Sequence, residues 1–275
     1  MAESVTLEIF IIGNEILIGD IQDTNTNWIC KEINSLGGHV VRATVLRDDP
    51  GVIAAEMHAA LQRGARVIFT SGGLGPTADD LTLAAVADGV GVRVTLHEKA
   101  LQMVKDSYDA MYARGIMAQG GLNPAREKMA WLPEGAVPLD NPVGTAPGVL
   151  LQIGATTIIS LPGVPSELKG IFNSSLQPFL QKTFKGGISS MHTITVRCND
   201  ESVMAPVLSR VVPAHPGVYI KSLARTLGET PELDISLTAV GSDQSSLDSL
   251  IGAALQELKD GLTSIGIVHW DKAQP

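Results

Sequence analysis

Three short apolar runs with helical segments between them constrain this chain more than any other feature. Val5 to Ile12, Val40 to Leu46 and Arg66 to Ser71 each read as a strand, and the first and third stop at glycine. Short apolar runs bounded by turn signals fit strands buried on both faces. Between the first two, Asp23 or Thr24 can cap a helix with Trp28, Ile29, Ile33 and Leu36 on its apolar face and Gly37 as its stop. Between the second and third, Asp49-Pro50 opens a helix that carries Ile53, Met57 and Leu61 inward and ends at Gly64. A βαβαβ order predicts a parallel sheet with right-handed crossovers.

The spacing predicts a short helix over 80–88, and a longer one that starts at a capping box, Thr95 to Glu98. A further short helix runs from Asn123-Pro124 to Met129. Gly148 to Ile153 and Thr156 to Leu161 read as a hairpin about Gly154-Ala155, placing an antiparallel strand in a mostly parallel sheet. Pro165 opens a last helix with Leu168, Ile171 and Phe172 inward. Lys185-Gly186-Gly187 reads as a linker, so the domains expected are 1–185 and 188–275. The second reads β (192–197), α (201–212), β (217–223), β (232–240), α (246–259), β (264–269). That pattern suggests a small α+β domain of ferredoxin-like or KH-like kind.

Charge narrows the partners. The net charge is −9 with no long Lys/Arg run, which argues against nucleic acid and against an anionic membrane surface. No apolar segment nears membrane-spanning length, and the start lacks a signal-peptide pattern. The two cysteines, Cys30 and Cys198, form no metal-binding spacing. These features point to the cytoplasm and a small-molecule ligand.

Ligands of open α/β sheets sit beyond the C-terminal ends of the strands. Three segments leave those ends: Gly13-Asn14-Glu15, the loop Ser71 to Asp80, and Pro162 to Glu167. In the central loop, Gly72, Gly73 and Gly75 let backbone N–H groups approach a phosphate, and Thr77 adds a hydroxyl. Asp79 and Asp80 suit such a cradle when a hard divalent ion lies between them and the phosphate, and Glu15 can add a third carboxylate. A helix cap and a plain turn account for the same residues equally. Asn25 can reach a ribose or base, Gly144 and Thr145 lie in a second Gly/Pro-rich loop, and Gly163 and Ser166 face the third opening. No histidine falls in a Gly-rich loop.

The run Gly72 to Asp80 occurs together with Gly13-Asn14-Glu15, Asp23-Thr24-Asn25, Asn123-Pro124-Ala125, Lys128-Met129, Gly144 to Gly148 and Leu161 to Glu167. This set resembles the CinA-type competence/damage-inducible proteins, whose N-terminal part is a molybdopterin-binding-like (MoaB/Mog) domain. The likeness spans nearly all of residues 5 to 180, and the segment after 188 is similar to their KH-like domain. It implies a three-layer, mostly parallel α/β sheet followed by a small α+β domain, without the C-terminal amidase domain of full-length CinA proteins. It also implies metal-dependent hydrolysis of a nucleotide pyrophosphate such as ADP-ribose. Asp79, Asp80 and Glu15 would then be catalytic and hold Mg²⁺, Mn²⁺ or Co²⁺. Gly72, Gly73, Gly75, Thr77, Asn14, Asn25, Gly144, Thr145, Gly163 and Ser166 would hold the substrate. The Mog-like cousins imply the alternative, a molybdopterin-binding or adenylyl-transferring protein of molybdenum cofactor biosynthesis. Both imply a homo-oligomer, a dimer above all.

Overall fold

The computed structural model describes residues 5–198, 200–223 and 232–272. It divides into two compact units, Met1–Ile33 with Gly38–Lys185, and Asn34–Gly37 with Gly186–Pro275.

In the first unit the chain runs β1 (Thr6–Ile12), α1 (Asn14–Leu17), α2 (Asn25–Ser35), β2 (His39–Leu46), α3 (Pro50–Gln62), β3 (Val67–Ser71) and α4 (Thr82–Val90). It continues through β4 (Val94–Leu96), α5 (Glu98–Ala113), α6 (Pro124–Lys128), β5 (Trp131–Pro133) and β6 (Val137–Leu139). The unit ends with β7 (Gly148–Ile153), β8 (Thr156–Leu161), α7 (Pro165–Phe172) and α8 (Gln177–Phe184). The main sheet has the order β2-β1-β3-β8-β7-β6. Its first four strands are parallel, and β7 and β6 join antiparallel. The mostly parallel α/β sheet and the β7–β8 hairpin are therefore as expected.

Strand period places alternate side chains on opposite faces. Phe10 and Ile68 join Ile53 and Met57 of α3 in one core. Phe69 points the other way and packs on Phe172 of α7, with ring centroids 6.2 Å apart. Trp28 of α2 meets Phe172 edge-on at 4.9 Å. Helices thus cover both faces, which is the three-layer arrangement.

Several elements differ from the sequence reading. The capping box at Thr95 does not form. Val94–Leu96 is extended and pairs with Trp131–Pro133, and the Nδ1 of His97 caps α5 by accepting the Ala100 N–H. Helix α4 begins at Thr82 because Asp80 is engaged upstream with Thr77. The one-turn α1 and the helix α8 were not signalled by any strong periodicity. Asp23 does cap α2, accepting the Thr26 N–H at 3.0 Å.

The second unit runs β9 (Ile188–Arg197), α9 (Glu201–Ala214), β10 (Tyr219–Leu223), β11 (Glu232–Gly241), α10 (Gln244–Ser264) and β12 (His269–Asp271). These strands form an antiparallel sheet of order β10-β11-β9-β12. Ile194, Val196, Ile235 and Leu237 pack with Val207 and Val211 of α9 and Leu258 and Leu262 of α10. The strand expected at 264–269 starts only at His269. Leu258 and Leu262 keep their helical spacing into the core, so α10 continues to Ser264.

Glu8 in β1 is only 2% exposed, and its carboxylate accepts from Arg63 Nε at 2.8 Å and Nη2 at 2.6 Å. Removing one partner of a buried pair leaves the other charge uncompensated. Arg63→Ala should therefore lower stability by about 3 kcal/mol in urea unfolding, far more than loss of an exposed arginine. In the second unit, Lys259 and then His192 hold the Asp271 carboxyl below the usual carboxylate range. A lowered pKa stabilises above the ordinary value of about 3.9 and loses that contribution as pH falls through the folded value. Asp271→Asn should accordingly destabilise at pH 7 by under ~1 kcal/mol, and the difference from wild type should vanish in strong acid.

Candidate functional site

The ends of three parallel strands meet at one edge of the main sheet. Gly13 follows β1 and donates its N–H to Leu46 O at 3.1 Å, and Gly72 follows β3 and donates to Leu161 O at 3.1 Å. Gly72 has φ +114°, and a Cβ there would stand 2.0 Å from Ile12 O. No side chain fits that approach, so glycine is required on both counts. A Cβ on Gly163 would lie 3.3 Å from Gly72 Cα, so the third loop closes over the second.

Side chains tie these loops together. Asn25, at the start of α2, donates from Nδ2 to Ser71 Oγ at 3.0 Å and to Gly163 O at 2.8 Å. Ser71 Oγ donates onward to Pro162 O at 3.2 Å. Thr82, fully buried, donates its hydroxyl to Gly72 O at 2.8 Å. Thr77 donates its N–H and hydroxyl to Asp80 Oδ2 at 2.9 and 2.5 Å. Lys128 Nζ bonds the Thr77 carbonyl. The same Thr77 hydroxyl, the residue's own N–H and, more weakly, Lys128 hold the exposed Asp79 carboxyl below its usual range.

The loops enclose a cavity of about 540 Å³, within the usual range for small-ligand sites. Of the expected substrate residues, Gly72, Gly73, Gly75, Asn25, Thr145 and Gly163 line it, and so do Glu15, Asp79 and Asp80. Asn14, Thr77, Gly144 and Ser166 are not in its wall. Asn14 lends its N–H to Asp48 at 2.7 Å, and the Thr77 hydroxyl is used by Asp80. Gly144 makes room for a neighbour, since a Cβ there would stand 1.9 Å from Glu167 Oε2. Ser166 is exposed in the first turn of α7. Asn25 is a scaffold residue first, because both of its amide hydrogens serve the loops. Its Oδ1 is buried without a hydrogen-bond partner.

The expected metal set is not assembled. Among the described residues no three His, Cys, Asp or Glu side chains are grouped to hold an ion. Asp80 is turned into the loop by Thr77, and Glu15 lies back over Gly13, where a Cβ would be 2.5 Å from Glu15 Oε1. The side chains present do not fit a resident divalent cation.

Sequence reasoning missed part of the wall. Asp48 lines the cavity just past β2, and Ile16 and Ile21 also contribute. The rule that pointed to the other loops, the C-terminal ends of parallel strands, would have included Asp48. The apolar residues carried no such signal. Gly72→Ala should cost at least ~2 kcal/mol in thermal unfolding, because it adds both a backbone clash and an unfavourable φ.

Comparisons with known proteins bear on the whole chain. A protein of Pyrobaculum arsenaticum is 37% identical over 257 residues, covering 93% of this chain and 94% of its own. One of Aeropyrum pernix is 37% identical over 268 residues, covering 97% of each. The crystal structure of the protein CinA with unknown function from Thermoplasma acidophilum matches with a TM-score of 0.57 at 35% identity. That match covers 64% of this chain and 98% of the other. A family model described as "probable molybdopterin binding domain" matches residues 8–182. This match overturns the expected nucleotide pyrophosphatase, because the family is described by molybdopterin binding. With the model matching residues 8–182, well over half of the chain, the chain belongs to the molybdopterin-binding-domain family, MoCF_biosynth.

Proposed function

We propose that this chain binds a molybdopterin-type pterin in the cavity at the C-terminal edge of its main sheet, as a protein of molybdenum cofactor metabolism. The observation that carries this reading is the cavity's construction within the residues that match the family. It joins a glycine-lined backbone wall, an apolar rim and a set of buried hydrogen-bonding groups in one enclosure.

The chemistry of the donor set fits a pterin. Ile16, Ile21 and Met129 offer apolar surface to a flat ring. Thr145, half-buried in the wall, offers a polar partner to ring substituents. The Gly72 to Gly75 backbone can receive the anionic end of the ligand through N–H groups. When bound, the pterin supplies a dithiolene for metal chemistry. The chain's own part is to orient the ring, shield it from water and hold the loops in place.

Titration of the purified chain with molybdopterin and, separately, with ADP-ribose tests this reading. Saturable binding of molybdopterin at least ~10-fold tighter than ADP-ribose is expected, a difference of about 1.4 kcal/mol. Absence of molybdopterin binding, or tighter binding of ADP-ribose, would overturn it. Gly73→Ala should weaken molybdopterin binding by about tenfold or more. Gly73 has φ +66°, and a Cβ there would stand 2.2 Å from Thr82 Oγ1, forcing the loop to move.

A further inference from the structure

We propose that Glu15 reads the ligand's ring, its carboxylate accepting the paired N–H donors of a 2-amino-4-oxopyrimidine edge. The inference rests on the pterin reading above and assigns that ligand's orienting residue.

The cavity's charge is unusual for a site expected to take an anion. Glu15, Asp23, Asp48, Asp79, Asp80 and Glu167 line it, and no lysine, arginine or histidine does. Four of these acids accept hydrogen bonds inside the protein. Asp23 accepts from Thr26 N at 3.0 Å, Asp48 from Asn14 N at 2.7 Å, and Glu167 from Asn141 Nδ2 at 2.7 Å. Asp80 accepts from Thr77 N and Oγ1 at 2.9 and 2.5 Å, and Asp79 is exposed to solvent. Glu15 is half-buried, and among the described residues its carboxylate has neither a hydrogen bond nor an ion pair.

Its position is nevertheless fixed. Glu15 O accepts the N–H groups of Asp20 at 2.9 Å and Ile21 at 3.2 Å, which pins the backbone of α1. The side chain is half-buried and occupies space that only a glycine leaves. A Cβ on Gly13 would stand 2.5 Å from Oε1 and 2.9 Å from Oε2. Both oxygens are thus held at the wall of the cavity without a donor. A half-buried carboxylate gains most from charge-assisted N–H bonds, above all when two parallel donors meet its two oxygens. With no basic side chain in the wall, a ligand that displaces water from Glu15 has to supply those donors itself. A neutral ring with adjacent ring N–H and exocyclic amino groups satisfies this demand. Pterins carry that edge, and so does guanine.

The test compares 6-hydroxymethylpterin, 6-hydroxymethyllumazine and GMP as ligands of the full chain and of Glu15→Gln and Glu15→Ala. Lumazine replaces the 2-amino group by a carbonyl, so it removes one donor of the pair. The wild type should bind the pterin about ten- to hundredfold tighter than the lumazine, the value of one or two charge-assisted bonds. Both variants should unfold at the wild-type temperature and bind pterin and lumazine within about threefold of each other. A wild type that does not discriminate, or a variant that discriminates as the wild type does, overturns the role of Glu15 while leaving pterin binding intact. If GMP binds through Glu15 and the pterin does not bind, edge recognition stands and the pterin reading falls. Binding of none of the three overturns both.

Discussion

The site depends on one close approach of backbone to backbone. Gly72 passes Ile12 O so tightly that a methyl group would sit 2.0 Å from it, and Gly163 closes over Gly72 from the other side. The ends of β1, β3 and β8 therefore come together as three bare stretches of main chain. Asn25, Ser71 and Thr82 then lock those stretches with hydrogen bonds of 2.8–3.2 Å. Close-packed backbone transmits displacement instead of absorbing it. The cavity's shape is thus set by the sheet, and the side chains in its wall decide only what it recognises.

That division explains the electrostatics. A cavity lined by six carboxylates and no base would repel an anion if all six were free. Most are not free, because they hold the loops. Asp80 anchors Thr77, Asp48 anchors the start of α1, and Glu167 fills the space Gly144 leaves. The acids that first suggest metal ligands are mainly structural acceptors of backbone and side-chain donors.

Much of this was legible in the sequence, for physical reasons. The βαβαβ order followed from apolar runs and from Pro50 and Asp49, whose carboxylate accepts the Gly51 and Val52 N–H groups as a cap should. The three ligand-facing loops followed from the topology of parallel sheets. What stayed hidden was how each polar side chain would be used. Asn25 and Thr77 have the chemistry to touch a ligand, yet the fold turns both inward onto partners far away or three residues on. Such choices depend on tertiary neighbours, and no local pattern carries them. The strand β4 was hidden for a similar reason: Thr95 has the spacing of a cap, but pairing with Leu132 in β5 decides its conformation. The resemblance to CinA-type proteins led to the wrong chemistry, because loop and fold are shared by proteins with different activities.

The central claim is that this cavity holds a pterin ring, oriented by an unpartnered carboxylate in its wall. A crystal structure of the full chain soaked with 6-hydroxymethylpterin measures that directly. The account predicts the ring inside the cavity, with its amino and ring N–H groups within about 3 Å of the Glu15 oxygens. A ring bound elsewhere, or one in the cavity with that edge turned away from Glu15, would contradict it.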